Sequence, residues 1–227
     1  MQENNLEIWE KVFQEKEWGK YPSVPVIRFI ARNFYKVPNR KDIKILEIGS
    51  GTGANLWFCA REGFSVIGLE GSKTANDKML ERFKKENLSS HILKTKIGDY
   101  LYTLDEIDDN SIDAIIDSES LCCNSFERTK EIISKCLKKL KVGSVMMSLT
   151  FAEGTWGLEG EEIDYHAVIP KEGPMTNMGF NRYTTKEDIK KLYKLDNSFI
   201  EKVERQDYIF ANGKAIKEWV IEIKKCQ

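Results

Sequence analysis

Histidine is nearly absent from this chain: among 227 residues only His91 and His166 occur. The five cysteines, Cys59, Cys122, Cys123, Cys136 and Cys226, include no Cys-x-x-Cys pair. A tetrahedral zinc site needs four nitrogen or sulfur ligands at short, regular spacing, so no metal centre is expected. An odd number of scattered cysteines suits a reducing compartment better than a disulfide framework. Charge of one sign is lacking too, because 35 Lys and Arg against 36 Asp and Glu leave a net charge of −1. That balance gives no general attraction to nucleic acid or to an anionic membrane, although a local patch would not show in the total. No apolar run reaches the length of a bilayer span. The start, Met1-Gln2-Glu3-Asn4-Asn5, is polar and acidic where a signal peptide would be basic and then apolar. These absences lead to the expectation of a cytoplasmic protein without repeats or low-complexity segments.

What is present is enough apolar residue, 41%, for one sizeable core. A single domain over residues 1–227 is expected at this length. Leu6, Ile8, Trp9, Val12 and Phe13 recur at helical spacing within residues 6–17, and a second helix is expected from Pro25 to Tyr35. The pattern then alternates. Short β-rich runs fall at 43–48, 64–69, 91–97, 112–116 and 144–151. Helical stripes lie between them, one over 127–141 ending before Gly143. Alternation of this kind means βαβ units and a parallel sheet with right-handed crossovers. The end differs: residues 199–210 and 216–224 read as two strands around Asn212-Gly213, a hairpin signal. Thr184 with Glu187 reads as a capping box opening a helix before that hairpin.

The chemistry points to one loop. Ile45-Leu46-Glu47-Ile48 runs directly into Gly49-Ser50-Gly51-Thr52-Gly53, and a helix follows. Glycines let the backbone turn tightly and let a ligand approach main-chain atoms, while the helix start offers unpaired N–H groups. An ordinary strand-to-helix turn needs one glycine rather than three at alternate positions. With Ala54 the loop also fits the dinucleotide pattern Gly-x-Gly-x-x-Ala. Glu47 argues against that reading: an acid two residues before the loop suits the ammonium of a methionine moiety and would repel a pyrophosphate. Glu70, about 20 residues past the loop, can accept ribose hydroxyls from either cofactor. Asp99, after the third strand, can accept from an exocyclic adenine amine. An NAD enzyme would also need a proton relay such as Tyr-x-x-x-Lys, which Tyr193-Lys194 does not supply.

In order and spacing these segments resemble the class I S-adenosylmethionine (SAM)-dependent methyltransferases of the small-molecule type. Ile45 to Gly53 is similar to their first signature, Leu69-Glu70-Gly71-Ser72 to the second, Ile97-Gly98-Asp99-Tyr100 to the third and Asp113 to Asp117 to the fourth. The resemblance covers roughly residues 40–227. It implies a Rossmann-like three-layer α/β sandwich, with a mostly parallel seven-stranded sheet and a C-terminal antiparallel hairpin. SAM is the implied cofactor. Gly49, Ser50, Gly51 and Gly53 would lie under its methionine and ribose, with Asn55 among the cofactor contacts and Glu47 on the amino group. Glu70 would take the ribose hydroxyls, with Gly71 and Ser72 beside the adenine and Asp99 and Tyr100 at its edge. Asp117 and Ser118 would lie near the transferring methyl. Residues 1–38 would form a helical lid, with Trp18 and Tyr21 folding over the cofactor.

Acceptors in open α/β sheets sit beyond the carboxyl ends of the strands. Residues 117–124 and the insertion 152–183 lie there, and the insertion is expected to form the acceptor side. His166 is the candidate base or acceptor-orienting group. Trp156 and Tyr183 are candidate acceptor contacts, and Cys122 and Cys123 read as small buried fillers. Relatives from bacterial biosynthetic clusters often carry an arginine after the fourth-strand aspartate, where this chain has Ser118. The Asn/Asp-Pro-Pro-aromatic signature of amino-methylating nucleic-acid enzymes is missing, so a nucleic-acid substrate is not expected. The leading expectation is methyl transfer to an oxygen of a small molecule, such as a sugar or a nucleotide-activated intermediate. N-methylation of a protein or amine, and a non-catalytic SAM- or NAD-binding protein, are the alternatives. Monomer and homodimer stay open.

Overall fold

A computed structural model describes residues 2–226, with side chains from Asn5 onward. Met1 and Gln227, the ends of the expected domain, lie outside the described residues. The chain opens with α1 (Gln2–Glu15) and α2 (Val24–Phe34). It then alternates β1 (Lys44–Ile48), α3 (Ala54–Arg61), β2 (Ser65–Glu70), α4 (Lys73–Lys85), β3 (Ile92–Ile97), α5 (Tyr100–Thr103), β4 (Ile112–Ser118), α6 (Phe126–Lys139) and β5 (Leu140–Phe151). A two-stranded ribbon, β6 (Ala167–Val168) with β7 (Asn181–Arg182), lies in the insertion. The chain ends with α7 (Lys186–Tyr193), β8 (Ser198–Ile209) and β9 (Ala215–Lys225).

The seven-stranded sheet runs β3-β2-β1-β4-β5-β9-β8, parallel from β3 to β5, with β9 antiparallel to both β5 and β8. Its period-two side chains build two cores. Ile45, Ala114, Ile116 and Met147 meet α2, α3 and α4 on one face, and Leu46, Ile48, Ile115 and Met146 meet α6 and α7 on the other. Strand order reverses between β1 and β4, which places a crevice at their carboxyl ends. No described helix is long and apolar enough to cross a membrane.

The structure corrects two local expectations. The helix before Gly143 stops at Lys139 because Leu140 turns extended (ψ 141°), and β5 starts there rather than at Ser144. Gly143, at φ +80°, lies inside the strand where the β4–β5 register jumps, so it serves a bulge and not a helix end. The capping box sits one residue later than expected. Thr185 accepts from Asp188 N, and Asp188 accepts from Thr185 N. Thr184 is held in extended backbone: its N–H donates to Phe151 O and its hydroxyl accepts from the buried Arg182.

Arg182 also fixes the insertion. Fully buried, its guanidinium donates to Asn124 O and to the hydroxyls of Thr129 and Thr184. Replacing Thr185 by Ala removes the cap of α7 and is expected to cost about 1 kcal/mol. Thermal unfolding should then show a midpoint lowered by roughly 2–4 °C.

Candidate functional site

A cavity of about 450 Å³ opens at the carboxyl ends of β1, β2 and β4. Its floor is the glycine turn. Gly49 N and Ser50 N both donate to Leu69 O, at 2.7 and 3.1 Å, which locks the loop against β2. Gly49 (φ +66°) lets Ser120 and Tyr100 close on the loop, since a Cβ there would stand 2.1 Å from Ser120 Oγ. Glu70 staples the two strand ends together: Gly51 N donates to one carboxylate oxygen at 2.6 Å and Ser72 N to the other at 2.9 Å. Burial pushes the Glu70 carboxyl upward even against these bonds.

Glu47 is the half-satisfied acid of the cavity. It is 1% exposed and accepts from Asn55 Nδ2 at 2.6 Å through Oε1. Asn55 in turn accepts from Ser23 N. Glu47 Oε2 has no partner, nor has the buried Ser50 Oγ. Burial raises the Glu47 carboxyl to about 8, and the nearby acids Glu70 and Asp117 push the same way. On the other side of the floor Asp99 caps α5 through Leu101 N and pairs with Arg128. The hydroxyl of Tyr100 accepts from Ser120 Oγ at 2.9 Å.

The roof comes from α1 and the insertion. Asn5, Leu6, Trp9 and Phe13 face the cavity, as do Pro174, Met175 and Met178. Trp18 packs edge-on against Trp9 and Phe13, and Tyr21 against Trp57. Asn5 ties the roof to both acceptor-side segments: its amide donates to Cys123 O and accepts from Phe180 N. Glu10 fastens α1 to the start of α4, accepting from the Ser72 and Thr74 hydroxyls at 2.5 Å each. Despite partial burial those bonds hold its carboxyl down to about 2.

Residues 45–143 carry the match to the family model of a methyltransferase domain. No curated protein matches the sequence. Many solved structures share the fold. A protein whose structure concerns conversion of a disulfide bond into a thioacetal group in echinomycin biosynthesis is 14% identical, with a TM-score of 0.70 over 97% of this chain and 91% of that one. A SAM-dependent methyltransferase from Methanosarcina mazei is 18% identical, at 0.69 over 87% and 97%. The 1,6-didemethyltoxoflavin-N1-methyltransferase of Burkholderia thailandensis, solved with that compound and S-adenosylhomocysteine, is 10% identical, at 0.66 over 90% and 78%. The Rossmann-like methyltransferase fold follows.

The cavity gathers Trp18, Tyr21, Glu47, Gly49, Ser50, Gly51, Asn55, Glu70, Gly71, Asp99, Tyr100 and Ser118. It does not gather Gly53, Ser72 or Asp117. Gly53 (φ +80°) starts α3, and a Cβ there would stand 2.2 Å from Met79 Cγ, so the glycine admits α4. Ser72 caps α4, accepting from Ala75 N. Asp117 is buried beneath the β4 tip, where it accepts from Ser148 Oγ, Ser120 N and Leu121 N. Burial raises its carboxyl to about 6.

The three candidates for the acceptor side also lie away from the cavity lining. His166 (φ +52°) is stacked between Tyr165 and Tyr183 and bonded to the buried Asp188 at 2.8 Å. The same stack takes Tyr183, and Trp156 packs against Phe210 and the Lys214 ammonium. In their place the lining contains Glu119, Ser120, Cys123 and Asn124, with Met175 and Met178 opposite. Cys122 is a buried filler as expected, whereas Cys123 reaches the cavity.

Glu47 also sets a pH dependence. Its folded carboxyl keeps a proton up to about 8, whereas an ordinary glutamate loses it near 4.5. The folded state therefore binds the extra proton, and stability falls as pH rises through that window. Glu47→Gln should flatten this fall. Urea midpoints of the variant should gain on the unmodified chain between pH 5 and pH 9, and parallel curves would remove Glu47 as the cause.

Proposed function

We propose that this cavity binds SAM along its floor and takes a small-molecule acceptor between the β4 tip and residues 174–178. The supporting observation is Glu47 Oε2: a carboxylate oxygen buried and unpartnered in a cavity wall costs free energy until a donor reaches it. The ammonium of the methionine moiety is such a donor. Asn55 holds Glu47 in place for it, and Ser50 Oγ offers a further polar contact. Gly49, Gly51 and Gly71 leave room for the cofactor to rest on backbone. The two Glu70 oxygens each keep a lone pair for a ribose hydroxyl. Asp99 and Tyr100 flank the adenine edge, and Ser118 lies toward the methyl.

Bound SAM supplies an activated methyl on a sulfonium. The chain's own work is alignment, exclusion of water and handling of any acceptor proton. The covering part of residues 1–38 is α1 with residues 18–23, because α2 belongs to the core. Trp18 and Tyr21 close one end of that cover. Residues 152–183 enter the acceptor side through 174–178, and the domain reads as one unit with these two additions. Gly53, Ser72 and Asp117 act on the cofactor only by shaping the loops that hold it.

Calorimetric titration with S-adenosylhomocysteine tests this reading. Binding should release up to about one proton near pH 7 as the ammonium ionises Glu47, visible as a dependence of the heat on buffer. Glu70→Ala should weaken binding by about tenfold or more, as expected for a lost charge-assisted hydrogen bond. Binding of NAD in place of S-adenosylhomocysteine would overturn the assignment.

A further inference from the structure

The acceptor half of the cavity has two kinds of wall. One is apolar. Pro174, Met175 and Met178 come from the insertion, and Cys123 comes from the turn after β4. Met175 and Cys123 are backed by a small third core of Cys122, Phe151, Leu158 and Val168, separate from the two cores on the faces of the main sheet. Methionine thioethers are polarisable, adapt to the shape they meet and make favourable contacts with rings. Such a wall gains free energy when carbon, not water, lies against it.

The other wall is polar, but its groups are engaged with the rest of the chain. The Asn5 amide donates to Cys123 O at 3.0 Å and accepts from Phe180 N at 3.1 Å. Ser120 Oγ donates to the Tyr100 hydroxyl at 2.9 Å. Asn124 Oδ1 accepts from Arg128 Nε at 3.2 Å, and Asn124 Nδ2 donates to Ser120 O at 3.4 Å. Arg128 is held at both ends, because its guanidinium also pairs with Asp99. Arg182 is fully buried on Asn124 O and the hydroxyls of Thr129 and Thr184. Ser118 differs. It stands at the end of β4, and among the described residues its hydroxyl has no hydrogen-bond partner. Glu119, next along the chain, brings an acid to the same tip.

We infer that the acceptor is a small, mainly apolar molecule with one nucleophilic group. Its body lies on Met175 and Met178, and its nucleophile meets Ser118 and Glu119 at the β4 tip. This names the substrate class of the site proposed above and rests on the cofactor reading. A sugar carries a hydroxyl on nearly every carbon. Each would lose its water on entry, and the wall offers few partners in return, because Asn5, Ser120 and Asn124 are already bonded. A nucleotide-activated acceptor brings a diphosphate as well. No Lys, Arg or His is among the described residues lining the cavity, and Arg128 and Arg182 stand behind it on the groups they already hold. Size points the same way, since about 450 Å³ must hold the cofactor as well as the acceptor. The sugar or nucleotide-activated intermediate expected from the sequence therefore fits this half poorly.

The test is calorimetry on protein saturated with S-adenosylhomocysteine, titrated in turn with 2-naphthol, methyl glucoside and uridine diphosphate glucose. The naphthol is expected to bind at least about tenfold more tightly than either sugar, the margin left by desolvated and unpaired hydroxyls. Met175→Gln and Met178→Gln should each weaken the naphthol by about threefold to tenfold and leave S-adenosylhomocysteine binding unchanged, which separates this wall from non-specific adsorption. Either sugar binding as tightly as the naphthol, no binding of the naphthol, or a naphthol affinity that both variants leave unchanged would overturn the proposal. The three-ligand comparison on the unmodified chain decides even if a variant fails to fold. Failure of S-adenosylhomocysteine itself to bind would instead remove the cofactor reading and this inference with it.

Discussion

Buried carboxylates at the ends of the central strands are the constraint around which the cavity is built. Glu47, Glu70 and Asp117 all sit within the sheet's rim, and burial raises each. An uncompensated buried polar group costs about 1–3 kcal/mol, and more when charged. Asp117 offsets that cost internally with two backbone N–H groups and a serine. Glu70 does so by joining two loops. Glu47 is only half satisfied. The sheet over-determines its position, so the molecule tolerates the deficit where a ligand can remove it.

The sheet and the cofactor loop were legible because both leave marks along the chain. Period-two apolar strands alternate with helical stripes, and three glycines in five residues announce a turn that a ligand approaches. The distinction among acids was not legible. Glu47, Glu70, Asp99 and Asp117 all read as cofactor contacts, yet Asp117 turns inward to cap the segment after β4. Which of two neighbouring groups faces a cavity depends on loop geometry that spacing does not encode. Ser72 and Gly53 lie outside the cavity lining for the same reason: one caps a helix, and the other makes room for Met79.

The acceptor side was the least legible. His166 drew attention as the only histidine in the insertion, a signal of chemical type without position. Its stacking between two tyrosines and its bond to Asp188 give it a structural task, anchoring the insertion to α7. The Asp188 carboxylate is the N3 partner of the capping box as well, so one buried acid joins a helix start to a loop 22 residues earlier. Glu119 lay in the segment expected to face the acceptor. It lines the cavity from a left-handed turn just after β4.

The roof closes the argument about access. α1 is held to the body by its buried Val12 and Phe13 and by polar bonds: Asn5 to Cys123 and Phe180, Glu10 to Ser72 and Thr74, and Lys78 Nζ to Phe13 O. Each bond is worth about 1 kcal/mol net, and exposing a buried apolar side chain adds about 1.5–3 kcal/mol, so α1 is fastened by both kinds of contact. Asn5 joins this cover to two further segments, because its amide bonds both the turn that follows Glu119 and the insertion. The cover, the β4 turn and the insertion therefore meet at one side chain, which ties the position of α1 to both segments.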